Sequence, residues 1–393
     1  MARALLKPSE GSFGTLLGVD LPPLRVVSHS DVRPLQDPAT PMTVDGKQLT
    51  TGDLFGIIRT DSLTSYSPQE NARSANGWWQ SNNVGARART NLSAAPPPGR
   101  IRVLVFGESF GNGSRVPQEN AWPNIIDDWH REFEVANFAV DGYSMAQSLL
   151  RYKEIRQQLK SDIVLMVFAP EFDLWRDVNM LRQLAYPSWD MPLSPRYALV
   201  GNQLTLVRPL YAEPSDLYRK NFDGPTPELQ KFLRANDRFY FPDEYEPPHL
   251  IEKPILARLV ARTVATQRLR KLQAGLMDPQ GEALRVSRAM FEAMRDQAKA
   301  DGATFGLVIL PAEHRWWDGT AKSADTDAWQ TMASFVCANQ PFCVDLLPAL
   351  RKVPLRDVDR VYDGEHFGPI MNLRVATAVY DALKTQTASA RGR

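Results

Sequence analysis

A serine that could act as a nucleophile follows a short apolar segment in the first third of the sequence. Residues 101–106 (IRVLVF) are predicted to form a buried strand, and Ser109 lies just beyond it in the segment FGESFGNG. The surrounding glycines allow the backbone to turn sharply and to approach a ligand closely. A serine at such a junction can also cap a helix, and the segment lacks the Lys-Ser/Thr ending of a phosphate-binding loop. The position therefore favours either a nucleophile or a helix cap.

A histidine near the C-terminus has the neighbour that a serine nucleophile requires. A serine hydroxyl needs a nearby base, and the base needs an orienting carboxylate. His366 lies three residues after Asp363 in the segment YDGEHFGP, ahead of a predicted terminal helix. His130 has the same spacing from Asp127, but its helix has an apolar face filled by other residues, which predicts a solvated surface pair. We therefore expect Asp363 and His366 to serve Ser109.

Alternating strands and helices are the elements that must bring these residues together. Apolar strands alternate with amphipathic helices after residue 96, a pattern typical of a parallel sheet covered by helices on both faces. Open sheets of this kind bind ligands at the carboxyl ends of their strands, where Ser109 is expected to lie. The sequence thus predicts a three-layer α/β/α fold with a mostly parallel sheet of about five strands. The predicted strands are residues 101–106, 135–140, 163–169, 304–310 and 344–346.

Composition divides the chain into an N-terminal segment and one larger domain. Residues 1–95 are rich in Pro, Gly, Ser and Thr, show little periodicity, and end in the proline-rich joint AAPPPGR. Residues 96–393 are predicted to form the α/β domain, interrupted by an insertion at about 175–275. The insertion contains a predicted hairpin at 197–207 and a basic helical stretch at 255–272, and we expect it to shape the substrate entrance.

Bulk properties exclude several partner classes. The net charge is +1, so no global field favours nucleic acid or an anionic membrane, and no apolar stretch is long enough to span a membrane. The N-terminus lacks the apolar core of a signal peptide, which predicts a cytoplasmic protein, or a periplasmic or secreted one if a leader is missing. Cys337 and Cys343 could close a small disulfide loop or remain two thiols. The sequence indicates no oligomeric state.

Three segments resemble the conserved blocks of the SGNH (GDSL-like) hydrolases. Residues 103–126 resemble the first block, a strand followed by Gly-Asp-Ser-Phe. Residues 137–147 are similar to the second block, which carries the oxyanion glycine, and residues 363–372 to the last, Asp-x-x-His before the terminal helix. The short lead-in at 78–89 also looks like that of many bacterial members. The resemblance covers about residues 76–174 and 283–385 and implies an SGNH-hydrolase-like, flavodoxin-like fold.

The resemblance also implies a mechanism. Ser109 would be the nucleophile, His366 the general base and Asp363 its orienting carboxylate, with the backbone N–H groups of Ser109 and Gly142 receiving the oxyanion. Such family members use no metal or other cofactor. The activity implied is a serine esterase that hydrolyses an acyl ester, such as an acetyl ester, on a carbohydrate-like or other polar small molecule or glycan.

Two residues depart from the family pattern. Glu108 stands where the family has Asp, a change expected to affect local packing more than chemistry. Phe172 stands where the third block has an Asn that donates to the oxyanion, and removal of one such donor costs about 10² to 10³ in turnover. Either Asn179 takes over that role or two donors suffice. The alternatives are an acyltransferase that uses the same acyl-enzyme, or a binding protein that has lost its catalysis. Trp175, Trp316 and Trp317 lie near predicted strand ends and could form a stacking wall for a sugar or acyl chain.

Overall fold

The N-terminal part of the chain contains short antiparallel pairs of strands. The computed structural model describes residues 7–9, 12–16, 19–20, 41–44, 47–50, 57–74, 76–185, 192–221, 225–242, 255–313, 316, 323–361 and 366–391. Strands β1, β2 and β3 pair with one another, as do β4 with β5 and β6 with β7. Their bounds are β1 (Lys7–Ser9), β2 (Ser12–Leu16), β3 (Val19–Asp20), β4 (Pro41–Val44), β5 (Lys47–Thr50), β6 (Ile58–Asp61) and β7 (Ser65–Pro68).

Strands and helices alternate from residue 101 onwards, as the sequence predicts. The elements are β8 (Ile101–Phe106), α1 (Ser109–Asn112), α2 (Trp122–Trp129), β9 (Phe133–Asn137), α3 (Met145–Ile155), β10 (Ile163–Phe168), α4 (Pro170–Arg176), β11 (Arg196–Val200), β12 (Gln203–Val207), α5 (Asp216–Lys220), α6 (Pro227–Asn236), α7 (Ile255–Ala274), α8 (Glu282–Ala300), β13 (Thr304–Ile309), α9 (Ser323–Cys337), β14 (Cys343–Asp345), α10 (Leu347–Leu350) and α11 (Pro369–Arg391).

The central sheet has five parallel strands in the order β14-β13-β10-β8-β9. Numbered by their appearance in the chain, these strands have the order 2-1-3-4-5 of flavodoxin-like folds. The first strand, β8, lies between β9 and β10, with Val103 opposite Ile163 and Val135. The connections on either side of β8 leave in opposite directions, which opens a crevice at its carboxyl end. Ligands bind at this switch point in open α/β sheets.

The sheet is buried between two layers of helices. All six residues of β10 are buried, as expected for a parallel strand covered on both faces. Helices α2 and α11 pack together along one side of the sheet, and α3 and α8 pack together along the other. The predicted three-layer α/β/α fold is confirmed.

The boundaries of the second strand differ from the prediction. The sequence predicts a strand over residues 135–140, whereas β9 spans Phe133–Asn137. Residues 138–140 are buried and apolar, but they form a loop that crosses the end of β8, with Val140 N–H donating to the Gly107 carbonyl. The apolar pattern therefore continues beyond the strand because this loop is itself part of the core.

The insertion has the predicted hairpin and helix. Strands β11 and β12 pair in antiparallel register, with Val200 opposite Gln203 around the predicted turn. Gly201 in that turn has φ +61°, a left-handed conformation that glycine adopts without steric cost. The basic stretch forms α7, two residues longer than predicted.

One buried arginine ties the lead-in to the loop after α1. The Arg87 guanidinium donates to the carbonyls of Asn112, Gly113 and Val116, and also to that of Trp78 within the lead-in. Arg87 is 1% exposed, and burial lowers its pKa to about 10. The lead-in is therefore held against the loop that follows the candidate nucleophile.

Cys337 at the end of α9 and Cys343 at the start of β14 are joined by a disulfide. Of the two alternatives that the spacing leaves open, the structure has the closed loop. Among the described residues, no helix is both long and apolar enough to cross a membrane.

Candidate active site

Ser109 lies at the carboxyl edge of the sheet, at the first position of α1. Gly107 directly follows β8 and has φ +153°. A Cβ at this position would lie 2.9 Å from the Val167 carbonyl oxygen of β10. Only glycine fits this close approach, so the chain can turn directly above the switch point. Ser109 is 5% exposed, at the crevice where a parallel sheet binds ligands.

Glu108 is the N-cap of α1 and also contacts the serine side chain. Its Oε1 accepts a hydrogen bond from Phe110 N–H at 2.8 Å, which satisfies a free donor at the helix start. Its Oε2 accepts from the Ser109 hydroxyl at 2.6 Å. Glu108, which the sequence comparison expected to affect local packing, therefore also contacts the candidate nucleophile.

A buried ionic cluster lies around Glu108. Arg176, on α4, places Nη1 at 3.4 Å from Glu108 Oε2 and 3.9 Å from Asp173 Oδ1. All three side chains are at most 2% exposed. The pKa of Asp173 is raised well above its usual range. Burial is the larger cause, and the negative charge of the neighbouring Glu108 is the second. One guanidinium thus faces two carboxyl groups, of which Asp173 favours its neutral form.

The structure brings His366 to the residue that follows Ser109. The imidazole stacks on the Phe110 ring, with 5.1 Å between centroids and 21° between planes. His366 is partly exposed, just ahead of α11. Its predicted orienting residue, Asp363, lies outside the described residues.

Gly142 and Asp141 line the same edge from the loop after β9. Gly142 has φ +76°, a conformation that strongly favours glycine. Asp141 accepts hydrogen bonds from Asn112 Nδ2 at 2.8 Å and from the Ser114 hydroxyl, and pairs with Arg115 at 3.4 Å. Burial alone would raise the pKa of Asp141, but the charges of Arg115 and His366 and these hydrogen bonds outweigh it, so the pKa is lowered. Asp141 is thus a carboxylate at neutral pH, close enough to His366 to sense its charge.

Phe172 contributes an aromatic wall where the family places its donating Asn. Its ring stacks on Phe110 at 5.5 Å, and the Arg176 guanidinium lies 5.3 Å from its centroid. The Asn179 side chain has a different environment, because its Nδ2 donates to the Leu181 carbonyl at 2.9 Å and to the Asp237 carboxylate at 3.1 Å. Both amide hydrogens are engaged away from Ser109, so we do not assign Asn179 to the oxyanion.

A cleft that the sequence did not predict opens beside Asp141. It has a cavity volume of about 50 Å³ and is lined by Trp78 and Trp79 from the lead-in and by Asn112, Arg115 and Asp141 from the site loops. Both tryptophans are partly exposed. The sequence places both tryptophans in the lead-in motif, but that motif does not indicate that they line a cleft.

The tryptophans that the sequence offered for a stacking wall belong to the core. Trp175 is 5% exposed, and Trp316 is 2% exposed with its indole N–H bonded to Glu171. Residue 317 lies outside the described residues. For the two described residues, the expected wall is wrong, because their rings are occupied by packing. Within the described part of the chain, no cluster of His, Cys, Asp and Glu has the arrangement of a metal site.

Comparisons with solved structures return lipolytic proteins, esterases and other hydrolases at low similarity. They include a lipolytic protein of the G-D-S-L family from Desulfitobacterium hafniense (11% identity, 72% of this chain and 98% of that chain, TM-score 0.35). The esterase EstA from Pseudoalteromonas sp. matches at 10% identity (73% and 99%, TM-score 0.36), and the acetylxylan esterase Axe2 from Geobacillus stearothermophilus at 11% (74% and 96%, TM-score 0.36). No family model and no curated protein matches the sequence.

The chain has a three-layer α/β/α fold with a five-stranded parallel central sheet in flavodoxin-like strand order. The strand order, the serine after the first strand and the histidine before the last helix agree with the three sequence blocks. The chemistry proposed below rests on the residues of this chain. They include a buried serine hydroxyl, an imidazole that stacks on the adjacent Phe110, and a glycine-containing loop at one sheet edge.

Proposed function

We propose that the protein is a serine esterase that forms an acyl-enzyme on Ser109. The observation that supports the proposal is the stacking of His366 on Phe110, the residue that follows the buried Ser109 at the switch point of the sheet. Acyl transfer needs this juxtaposition of hydroxyl and imidazole, whereas a serine that only caps a helix does not.

The reaction would run in two steps. Ser109 Oγ attacks the ester carbonyl carbon while His366 takes the hydroxyl proton, which it then gives to the leaving alcohol as the acyl C–O bond breaks. Water next attacks the acyl-enzyme, with His366 again taking a proton, and releases the carboxylic acid. We propose Asp363 as the carboxylate that orients His366.

Backbone donors would stabilise the oxyanion. Phe172 has no side-chain donor, so the proposal relies on the N–H groups of Ser109 and Gly142. Donors fixed before the reaction stabilise the developing charge without reorganisation.

We propose a polar substrate whose alcohol portion is a sugar or similar ring. The cleft beside Asp141 supports this, because it combines two partly exposed tryptophans with amide, guanidinium and carboxylate groups. Aromatic faces pack against the C–H surface of such a ring, and the polar groups can pair with its hydroxyls.

The nucleophile is tested by hydrolysis of p-nitrophenyl acetate. Ser109→Ala should lower kcat by about 10⁴, as removal of a triad member usually does, and His366→Ala should have a comparable effect. His130→Ala is the matched control, since His130 stacks on Tyr380 away from the site. Wild-type turnover by Ser109→Ala would refute the proposal.

The substrate class is tested by comparing two acetyl esters. Trp79→Ala should raise KM for a peracetylated methyl pyranoside by about fivefold or more, while it leaves p-nitrophenyl acetate nearly unchanged. Trp129→Ala is the control, because Trp129 is 64% exposed on α2. Equal effects of the two variants on the sugar ester would argue against a sugar-binding cleft.

A further inference from the structure

The Ser109 hydroxyl has two potential acceptors and only one proton. In the structure it donates to Glu108 Oε2 at 2.6 Å. A hydroxyl that gives its proton to a carboxylate cannot give the same proton to an imidazole. As long as this hydrogen bond persists, His366 cannot act as the base for Ser109.

Glu108 is fixed in this position by contacts on both carboxylate oxygens. Oε1 accepts from Phe110 N–H at 2.8 Å, and Oε2 faces Arg176 Nη1 at 3.4 Å. The Glu108 side chain is fully buried, and Arg176 is 2% exposed. Rotation of the carboxylate away from Ser109 would leave Phe110 N–H and Arg176 without it, so the serine must be the group that moves.

The extra methylene of Glu108 gives this contact its significance. A carboxylate at the N-cap needs only to reach the backbone N–H two residues later, and the shorter Asp of the SGNH pattern is sufficient for that. The longer Glu side chain caps Phe110 and also meets the Ser109 hydroxyl.

We propose that Glu108 holds Ser109 in a resting orientation, and that the hydroxyl must leave Glu108 for His366 before attack. This inference rests on the proposed esterase function and adds a regulatory step at the same site. A hydrogen bond to a charged acceptor, at its usual strength, reduces the population of the attacking orientation by about tenfold to a hundredfold. The free enzyme should therefore react more slowly than its triad permits.

Two variants remove the acceptor in different ways. In Glu108→Gln the side chain keeps its length and can still cap Phe110, but an NH₂ group replaces Oε2 and donates instead of accepting. In Glu108→Asp the charge that faces Arg176 is retained, and the shorter side chain caps Phe110 without reaching Ser109. If the loss of charge prevents Glu108→Gln from folding, Glu108→Asp decides the question.

The readout is the second-order rate of labelling by a fluorophosphonate in the full-length protein. The Ser109 Oγ–P bond forms, the P–F bond breaks, fluoride leaves, and the serine proton passes to the base. Both variants should label about tenfold to a hundredfold faster than wild type. A merely structural role of Glu108 would lower the rate, so an increase is specific to the proposal.

Glu134→Gln is the matched control. Glu134 is another buried carboxylate paired with a buried arginine, Arg102, at 2.6 Å, but it lies on β9 towards the other end of the sheet. Its labelling rate should stay within about twofold of wild type. An unchanged rate in folded Glu108→Gln and Glu108→Asp would overturn the proposal, and so would a fall, which would mean that Glu108 supports the site and does not restrain Ser109. Labelling of Ser109→Ala at the wild-type rate would instead refute the esterase function.

Discussion

Phe172 shows how far a single residue can alter an otherwise familiar site. Its ring contacts both Phe110 and Arg176. If the SGNH resemblance holds, Phe172 stands in place of a donating Asn and provides aromatic packing beside the proposed nucleophile. On the mechanism proposed above, this exchange should limit the chemical step and leave substrate binding largely intact.

Phe172→Asn should raise kcat for p-nitrophenyl acetate by about tenfold or more with little change in KM. The reason is that a well-placed hydrogen-bond donor, whose bond to the oxyanion forms only in the transition state, raises turnover by about 10² to 10³. Steady-state kinetics on the purified variant provides the measurement.

Phe172→Ala is the control for that experiment. It loses the same contacts with Phe110 and Arg176 but adds no donor, so kcat should not rise. A rise in both variants would mean that Phe172 obstructs the site by its bulk, and not that the donor is missing.

Single residues also show what the sequence could and could not predict. The sequence predicts Ser109 and His366 as site residues because their chemistry and position beside predicted elements carry information, and their roles stay predictions. The contact between Glu108 and the Ser109 hydroxyl was missed because it depends on side-chain rotations of adjacent residues, which no spacing encodes. The alternative Asn179 was excluded only when its partner Asp237, 58 residues later, could be seen.

At the scale of elements, Glu171 connects the start of α4 to the loop after β13. Its Oε1 accepts hydrogen bonds from Ala312 N–H at 3.0 Å, Glu313 N–H at 3.3 Å and the Trp316 indole at 2.5 Å. Burial raises its pKa from 4.5 to about 7, with a smaller contribution from the nearby charge of Glu313. The contact between α4 and the loop after β13 thus involves a carboxyl group that binds its proton more tightly in the folded than in the unfolded state.

The elevated pKa of Glu171 should make the protein less stable as the pH rises. Because the folded state binds the proton more tightly than the unfolded state, the stability is fully present below pH 4.5 and is lost as the pH approaches 7. The loss attributable to this residue is about 3 kcal/mol. Urea unfolding across this pH range should show the slope in wild type and a flatter profile in Glu171→Gln.

Glu119→Gln provides the comparison for this pH profile. Glu119 is 55% exposed and pairs with an exposed arginine, so its neutralisation should leave the slope unchanged. Identical slopes in wild type and Glu171→Gln would show that another group is responsible. Asp177 is then the first group to test as the cause of the slope, because burial raises its pKa to about 6.

Elements were predicted well where one physical signal dominated. The predicted bounds of β8 agree with the structure because the apolar run stops at Gly107, and those of β10 differ by a single residue. The β6–β7 hairpin was not predicted, because its sequence has no apolar alternation and its second strand begins at Ser65, which has φ +73°. That serine donates its hydroxyl proton to the Leu193 carbonyl, a tertiary contact that local patterns do not contain.

At the scale of the whole molecule, the disulfide between Cys337 and Cys343 bears on location. Disulfides persist in oxidising compartments and are rare in the cytosol. The bond therefore favours the periplasmic or secreted alternative over the cytoplasmic one, and both stay predictions. Thiol titration of protein produced in the cytoplasm and in the periplasm of one host tests this, with free thiols expected only in the cytoplasmic preparation.

Replacing both cysteines by serine should lower the free energy of unfolding by about 2 kcal/mol, because the short closed loop restricts the unfolded chain. Denaturant unfolding of oxidised wild type and of Cys337→Ser/Cys343→Ser measures the difference. Wild type treated with a reductant should behave like the double variant, and a reductant should not affect the double variant. Equal stability of all three proteins would show that the bond contributes nothing to the fold.

The Arg87 guanidinium has a consequence for how this scaffold can be altered by evolution or by engineering. It fastens the lead-in to three carbonyl oxygens in the chain just beyond Ser109, those of Asn112, Gly113 and Val116. A chain begun at residue 96 would keep every strand of the central sheet and every hydrophobic helix face, yet it would lose the donor that secures the nucleophile's own loop. A protein engineer who transfers the loop after Ser109 to another scaffold must therefore transfer the lead-in with it.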